Sequence, residues 1–268
     1  MSVVPFSQPR SGRNLGPLAG VLGDVSILER LDDFRKRLVR SVIAVALGAL
    51  VGFLLIDQLV GFLLAPTRRA LPAGTKLIYT QPGEAFGLYI QVALIAGVVF
   101  AMPIVMYQLW RLLQPLIPLA ARRFAIPFVF FTTLGFVAGA AFTHYIAFPY
   151  MMIFFASFNT PELLFLPRLD DVFDLYTKMV LGMAAVFQMP TIVFFLAKVG
   201  LVTWRLLWRS FRYAFLLIFI AAAVITPTGD MVTQTIFAAP MVALYLLSIA
   251  IAAVFGRKES TEPEAEEP

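Results

Sequence analysis

Residues 124–160 contain no charged side chain, and neither do residues 85–110 or 231–256. A helix that crosses the ~30 Å hydrocarbon core of a bilayer needs about 20 apolar residues. Runs this long cannot all be hidden inside a globule of 268 residues, of which 60% are apolar and 14% charged. An average soluble domain carries about 45–50% apolar and about 25% charged residues. The chain therefore reads as one polytopic, all-α membrane protein. Disorder, a collagen-like fold and a disulfide-stapled secreted fold are excluded by the same composition. The absence of Cys removes thiolate catalysis, disulfides and Cys-ligated metals. One histidine, His144, is too few for a multi-His metal site.

Bracketing charges divide the chain into six predicted spans. These are residues 41–56, 85–110, 124–148, 179–197, 213–229 and 231–256. Pro149 is expected to divide the 124–160 run, leaving residues 150–158 as a re-entrant or interfacial piece. Only Thr226-Pro227-Thr228-Gly229-Asp230 separates the last two spans, and Pro and Gly make a tight turn there. Pro227 and Pro240 predict that both of these spans are short and thin the bilayer locally. Of the Lys and Arg residues, sixteen fall on one side of this layout and five on the other. Basic loops face the cytoplasm, so both termini are predicted there. The net charge of +5 is thus a topology signal and does not point to nucleic acid.

Residues 1–24 are a loose, basic, Gly- and Pro-rich stretch with no apolar core, and read as a disordered cytoplasmic segment rather than a secretory signal. Residues 25–256 form the single integral domain. Residues 257–268 form a solvated tail that carries five Glu. Between the first two regions, Ser26-Ile27-Leu28-Glu29 is a capping box that starts a helix. That helix places Leu28, Leu31, Phe34 and Leu38 on one stripe and should run along the membrane surface into span one. Asp32 stands four residues before Lys36 and Asp33 four before Arg37, the spacing of intrahelical ion pairs. The alternative reading is an acidic patch for a cationic partner, with Glu29 partly committed to the cap.

The stretch Arg30-Leu31-Asp32-Asp33-Phe34-Arg35-Lys36-Arg37-Leu38 resembles the N-terminal motif of TatC, the multi-span receptor subunit of the twin-arginine protein translocase. Further matches follow in order. Leu64-Ala65-Pro66 closes the first external helix, and Tyr107-Gln108-Leu109-Trp110, Pro115 and Arg122-Arg123 fall in the first cytoplasmic loop. Phe148-Pro149 ends span three, and Phe187-Gln188-Met189-Pro190 lies in span four. Thr226-Pro227, Asp230, Thr233-Gln234 and Ala239-Pro240-Met241 complete the series. The resemblance covers residues 26–256. It implies six transmembrane helices in a concave, glove-like arrangement with both termini in the cytoplasm. It implies a non-enzymatic receptor in the cytoplasmic (inner) membrane that binds twin-arginine signal peptides. With small single-span TatA/TatB-type partners, such a receptor exports folded proteins using the proton-motive force. A homo-oligomer within the receptor complex is implied too, and no cofactor. On this resemblance Asp33, Asp32, Glu29, Arg35 and Leu112 take the signal peptide, and Gln188, Thr226, Thr233 and Gln234 meet the partner subunits.

One departure bears on that assignment. The family usually carries Glu two residues before the position of Arg123, and this acid joins the Glu of the N-terminal motif in receiving the two arginines. Here Ala121 is the best aligned residue, and Asp33 replaces the N-terminal Glu. Gly229 is a one-residue insertion before Asp230. Arginine recognition is therefore expected to rest on the N-terminal helix, with Asp33 primary.

The other polar residues carry less. Gln188 sits mid-span, where an amide either bonds across helices or, on the family reading, faces a cavity for a partner helix. Pro190 should tilt that span. Gln91 reads as interhelical glue, and His144 as a hydrogen-bonded packing residue. Asp170-Asp171-Val172-Phe173-Asp174 reads as an external surface segment before span four. An ion-coupled secondary transporter would need charged residues at membrane depth, and the spans carry no Asp, Glu, Lys or Arg. An intramembrane enzyme would need a base beside a nucleophile, and only His144 could serve. No GxSxG, GxGxxG, HExxH or P-loop occurs.

Overall fold

The computed structural model describes residues 27–70, 77–114, 124–160, 162, 165–226 and 230–256, with side chains of the first helix from residue 31 onward. The proposed N-terminal and C-terminal tails, Ser26 and Ala121-Arg122-Arg123 lie outside the described residues, as does the Glu29 side chain. Among the described residues the protein is helical, with no strand. We label the helices α1 (Ile27–Leu54), α2 (Ile56–Ala70), α3 (Glu84–Leu113), α4 (Ala125–Phe142), α5 (Phe148–Ala156), α6 (Leu169–Val186), α7 (Met189–Val199), α8 (Trp204–Arg209), α9 (Phe211–Ile225) and α10 (Met231–Phe255). A π-helical turn, Thr143–Ala147, joins α4 to α5. Five helical stretches are long and apolar enough to cross a membrane, and α9 is a sixth, shorter apolar helix of 15 residues.

The surface confirms what surrounds these helices. Leu47, Leu50, Leu54, Ile126, Leu217 and Val224 are exposed. Apolar exposure along whole helices is what a bilayer solvates and water does not. The interior is built instead from close backbone contact and soft side chains. Gly48 and Gly52 of α1 face Gly97, Ala93 and Ala96 of α3. A Cβ on Gly97 would stand 2.6 Å from the Ala49 nitrogen and 2.7 Å from the Val45 oxygen. Small residues at such a seam let helices approach without a hydrophobic drive, which lipid tails do not supply. Gly139 of α4 meets the Ala184 backbone of α6 in the same way. Phe148, Met151, Met152, Phe173, Met179, Met183 and Phe237 fill the centre and are fully buried. Hydroxyls at depth bond back to their own helices: Thr132 donates to the Phe128 carbonyl, Thr226 to Ala222 and Ser248 to Leu244.

Contacts between connecting segments sort the helix ends. Trp110, Phe128 and Phe195 pack as one ring cluster, with centroids 4.8–5.7 Å apart. Leu207 packs on Ala197 and Ala252, and its carbonyl accepts the Tyr245 hydroxyl at 2.8 Å. The ends of α3, α7 and α10 and the start of α4 therefore lie at one end of the bundle. Residues 78–84 meet residues 165–169 at the other end.

Several proline-based expectations need correction. Residues 150–158 are not a separate interfacial piece, because helix runs through Ala125–Ala156. The π turn precedes Pro149, and Phe148 N–H bonds to the Thr143 carbonyl five residues back. That wider turn makes room for the ring and for the donor that Pro149 lacks. Pro66 does not close α2, which continues to Ala70. Pro240 lies inside an unbroken α10 of 25 residues, so the last span is not short. By contrast α9, at ~1.5 Å per residue, reaches only about 22 Å. Asp170, Asp171 and Asp174 are exposed, as expected of a surface segment, and Asp170 and Asp171 form the first turn of α6, where their charge favours the helix N-terminus. Just before Pro190, where the sequence predicts a tilt, the α-helix is interrupted for two residues: α6 stops at Val186 and α7 starts at Met189. The N-terminal helix runs unbroken into span one, as expected.

Candidate functional site

The first turns of α1 carry the acids that the sequence singled out. Asp32 pairs with Lys36 at 3.1 Å and Asp33 with Arg37 at 3.5 Å. Both carboxylates stay more than half exposed, and Arg35 is exposed as well. Exposed pairs at this spacing contribute only a few tenths of a kcal/mol, so they yield easily to a better-placed cation. The glycine seam fixes what stands opposite. Gly48 meets Gly97, and Gly52 meets Ala93, so α1 and α3 run antiparallel. Fifteen residues along from Gly48 and Gly97 stand Asp33 and Leu112, which brings these two to the same level of the helix pair. Leu112 is half-buried.

The second set lies elsewhere. Thr226, Thr233 and Gln234 gather where α9 ends and α10 begins; the expected tight turn of residues 227–229 lies outside the described residues. Asp230 caps α10, accepting the Thr233 N–H at 2.7 Å. Gln234 Nε2 donates to the Phe219 carbonyl at 2.9 Å and so ties α10 to α9. Thr233 is fully buried and its hydroxyl has no hydrogen-bond partner among the described residues. Gln188 stands apart from these helix ends. Ile225 touches Gly182, and Gln188 lies nearly two helical turns farther on, at the break between α6 and α7. Gln188 is buried against Gly135 of α4. Its Nε2 donates to the Ala184 carbonyl at 3.2 Å, and its Oε1 is left without a partner among the described residues.

Sequence reading missed one polar cluster. Arg168 donates to Glu84 Oε1 at 2.7 Å, and Thr80 supplies its backbone N–H at 3.1 Å and its hydroxyl at 2.9 Å. The Glu84 carboxylate holds the Arg168 pKa above its usual value through this hydrogen bond. Ile78 and Arg168 form a parallel bridge, with Leu169 N–H bonding to the Ile78 carbonyl at 2.8 Å. In the sequence Glu84 is simply the charge that precedes the span at residues 85–110, and its partner lies 84 residues away. No local pattern could have announced the pair. His144, at the π turn, meets the Tyr176 hydroxyl at 3.0 Å and stacks on Phe62 at 4.1 Å, the packing role expected of it.

A family model described as Sec-independent protein translocase protein (TatC) matches residues 29–240. The chain belongs to the TatC family. It is 38% identical over 236 residues to the TatC protein of Koribacter versatilis (strain Ellin345), covering 86% of each chain. It is also 38% identical over 236 residues to TatC of Desulforapulum autotrophicum, covering 88% of this chain and 87% of the relative. A crystal structure of a twin-arginine translocase receptor, TatC, superposes with a TM-score of 0.74 at 30% identity, covering 84% of this chain and 98% of that one. The protein is thus a multi-pass membrane component of the twin-arginine translocase. TatC is a receptor component and not an enzyme family, and nothing supports the secondary-transporter reading. Membership in the complex implies membrane-protein partners.

Proposed function

We propose that this TatC protein is the subunit that reads twin-arginine signal peptides. The observation that carries the reading is the placement of Asp33 and Asp32. They are exposed, weakly paired, and level with Leu112 at the mouth of the α1–α3 seam. Arg guanidinium stays protonated and pairs with carboxylates in a bidentate, directional way, so an acidic helix at the membrane edge suits a two-arginine signal. Glu29, Arg35 and Leu112 flank that contact. The apolar part of the signal then follows the spans into the bilayer. Small TatA/TatB-type helices dock where α9 ends and α10 begins, around Thr226, Thr233 and Gln234, beside the exposed Met231, Val232 and Thr235. Gln188 is buried, so a docking helix reaches its unpartnered oxygen only if α4 yields. The receptor works as a homo-oligomer in the inner membrane, and the proton-motive force drives transport. Co-purification tests the reading. A precursor with its two arginines intact is retained, and the same precursor with two lysines is lost. Equal retention of both would sink it.

The same proposal places both termini in the cytoplasm, on the sixteen-to-five division of Lys and Arg. Single Cys labels in this Cys-free chain at Gly74, Pro161 and Gly229 are expected to react from outside. Labels at Gly12, Leu119 and Thr203 react only from inside. A Gly229 label protected from both sides would mean that α9 and α10 form a re-entrant hairpin.

A further inference from the structure

An apolar cavity of about 480 Å³ opens between α4, α7 and α10, lined by Phe131, Pro190, Thr191, Phe194, Ile251 and Phe255. It lies beside the break where α6 gives way to α7. Phe194 and Phe255 close one side, with their rings 5.3 Å apart. The receptor reading makes no use of it. The cavity is too small for another helix. A helix 10–12 Å across rises 5.4 Å per turn, so about one turn would fill the whole volume. A thin, flexible hydrocarbon fits the same space along its length.

The charge beside the cavity narrows the choice. Lys198 lies four residues beyond Phe194 and seven beyond Thr191, on the face of α7 that lines the cavity. It is exposed and makes no ion pair among the described residues. No Asp or Glu occurs between Asp174 and Asp230, so that whole stretch offers no acid to compete for it. The basic residues Arg205, Arg209 and Arg212 follow at the same end of the bundle.

We propose that this cavity takes an acyl chain of one anionic phospholipid, whose phosphate sits at Lys198. The bilayer supplies the ligand, and the site is independent of signal-peptide binding. One basic residue near an anionic headgroup is worth about fivefold in affinity. Native mass spectrometry of the purified protein, titrated with palmitoyl-oleoyl phosphatidylglycerol or with its phosphatidylcholine counterpart, reads this directly. The expected result is one retained phosphatidylglycerol, held about fivefold more tightly than phosphatidylcholine, with Lys198→Gln erasing that preference. Ile251→Trp fills the cavity and abolishes retention of both lipids. Ile251→Cys, a small change in a Cys-free chain, provides a second readout that does not depend on the bulky variant folding. Modification of the introduced thiol by a maleimide slows when phosphatidylglycerol is added. Retention unaffected by Ile251→Trp overturns the proposal, as does equal binding of the two lipids. So does protection of that thiol by a single-span partner helix and not by lipid.

Discussion

Replacing Asp33 by Asn removes most binding of a twin-arginine precursor, a loss of about 10- to 150-fold. The range is that of one charge-assisted hydrogen bond of ~1.5–3 kcal/mol. Asp33 can give up its present partner cheaply. The Arg37 contact is long, at 3.5 Å, and the carboxylate is 65% exposed, so the intrahelical pair contributes little. Exchange for a signal-peptide guanidinium that is partly desolvated against Leu112 gains more than it loses. The converse substitution strengthens the argument. Ala121→Glu introduces the acid that the family resemblance implies at this position, and should tighten binding. The adjacent Arg122 and Arg123 repel an unpaired guanidinium, which makes this gain the sharper half of the test. Fluorescence anisotropy of a labelled signal peptide against the protein in nanodiscs would measure both. If affinity rests on the apolar segment of the signal, neither substitution changes it, and the role given to Asp33 falls.

Gly97→Leu should cost at least as much as typical overpacking, about 1–3 kcal/mol, and lower the melting temperature in detergent. The atoms in the way are Val45 and Ala49 backbone atoms at 2.6–2.8 Å, which cannot swing aside as a side chain can. Helix α1 as a whole must move away from α3. That movement also opens the contacts at Gly48 and Gly52 and alters the level of Asp33 against Leu112, so precursor binding falls with stability. Gly61→Leu on α2 is the control, since a Cβ there meets nothing within 4 Å and the change should stay within about 0.5 kcal/mol. Matching melting curves for the two variants would show that the seam is looser than its geometry states.

Charge placement made the helices legible, because a bilayer tolerates few charges and the bracketing residues mark where each run must end. Asp32 and Asp33 were legible for a local reason: i,i+4 spacing acts within about one turn. Prolines were misread. Pro66, Pro149 and Pro240 each sit in continuing helix, whereas Pro190 accompanies a true break. A missing N–H disturbs a helix by an amount that its neighbours decide. The π turn before Pro149 is such a neighbour, and no rule applied to single residues foresees it. The Glu84–Arg168 pair and the lipid-sized cavity were illegible for a further reason. Both depend on segments brought together only after the helices pack.

The lacing of residues 78–84 to residues 165–169 divides the molecule mechanically. Backbone hydrogen bonds and the Glu84–Arg168 ion pair pin the start of α3 to the start of α6, while the two Thr80 donors hold the Glu84 carboxylate in place. Strain applied there is shared by every bond at once. At the opposite end α6 has already given way to α7, with a proline and an amide whose oxygen bonds to none of the described residues. The half that carries α7 and α8 is held instead by ring packing and by the Tyr245–Leu207 hydrogen bond, with no ion pair between helices among the described residues. The protein resembles a vice with one jaw bolted to the bench and the other held by friction, at the end that carries Asp33.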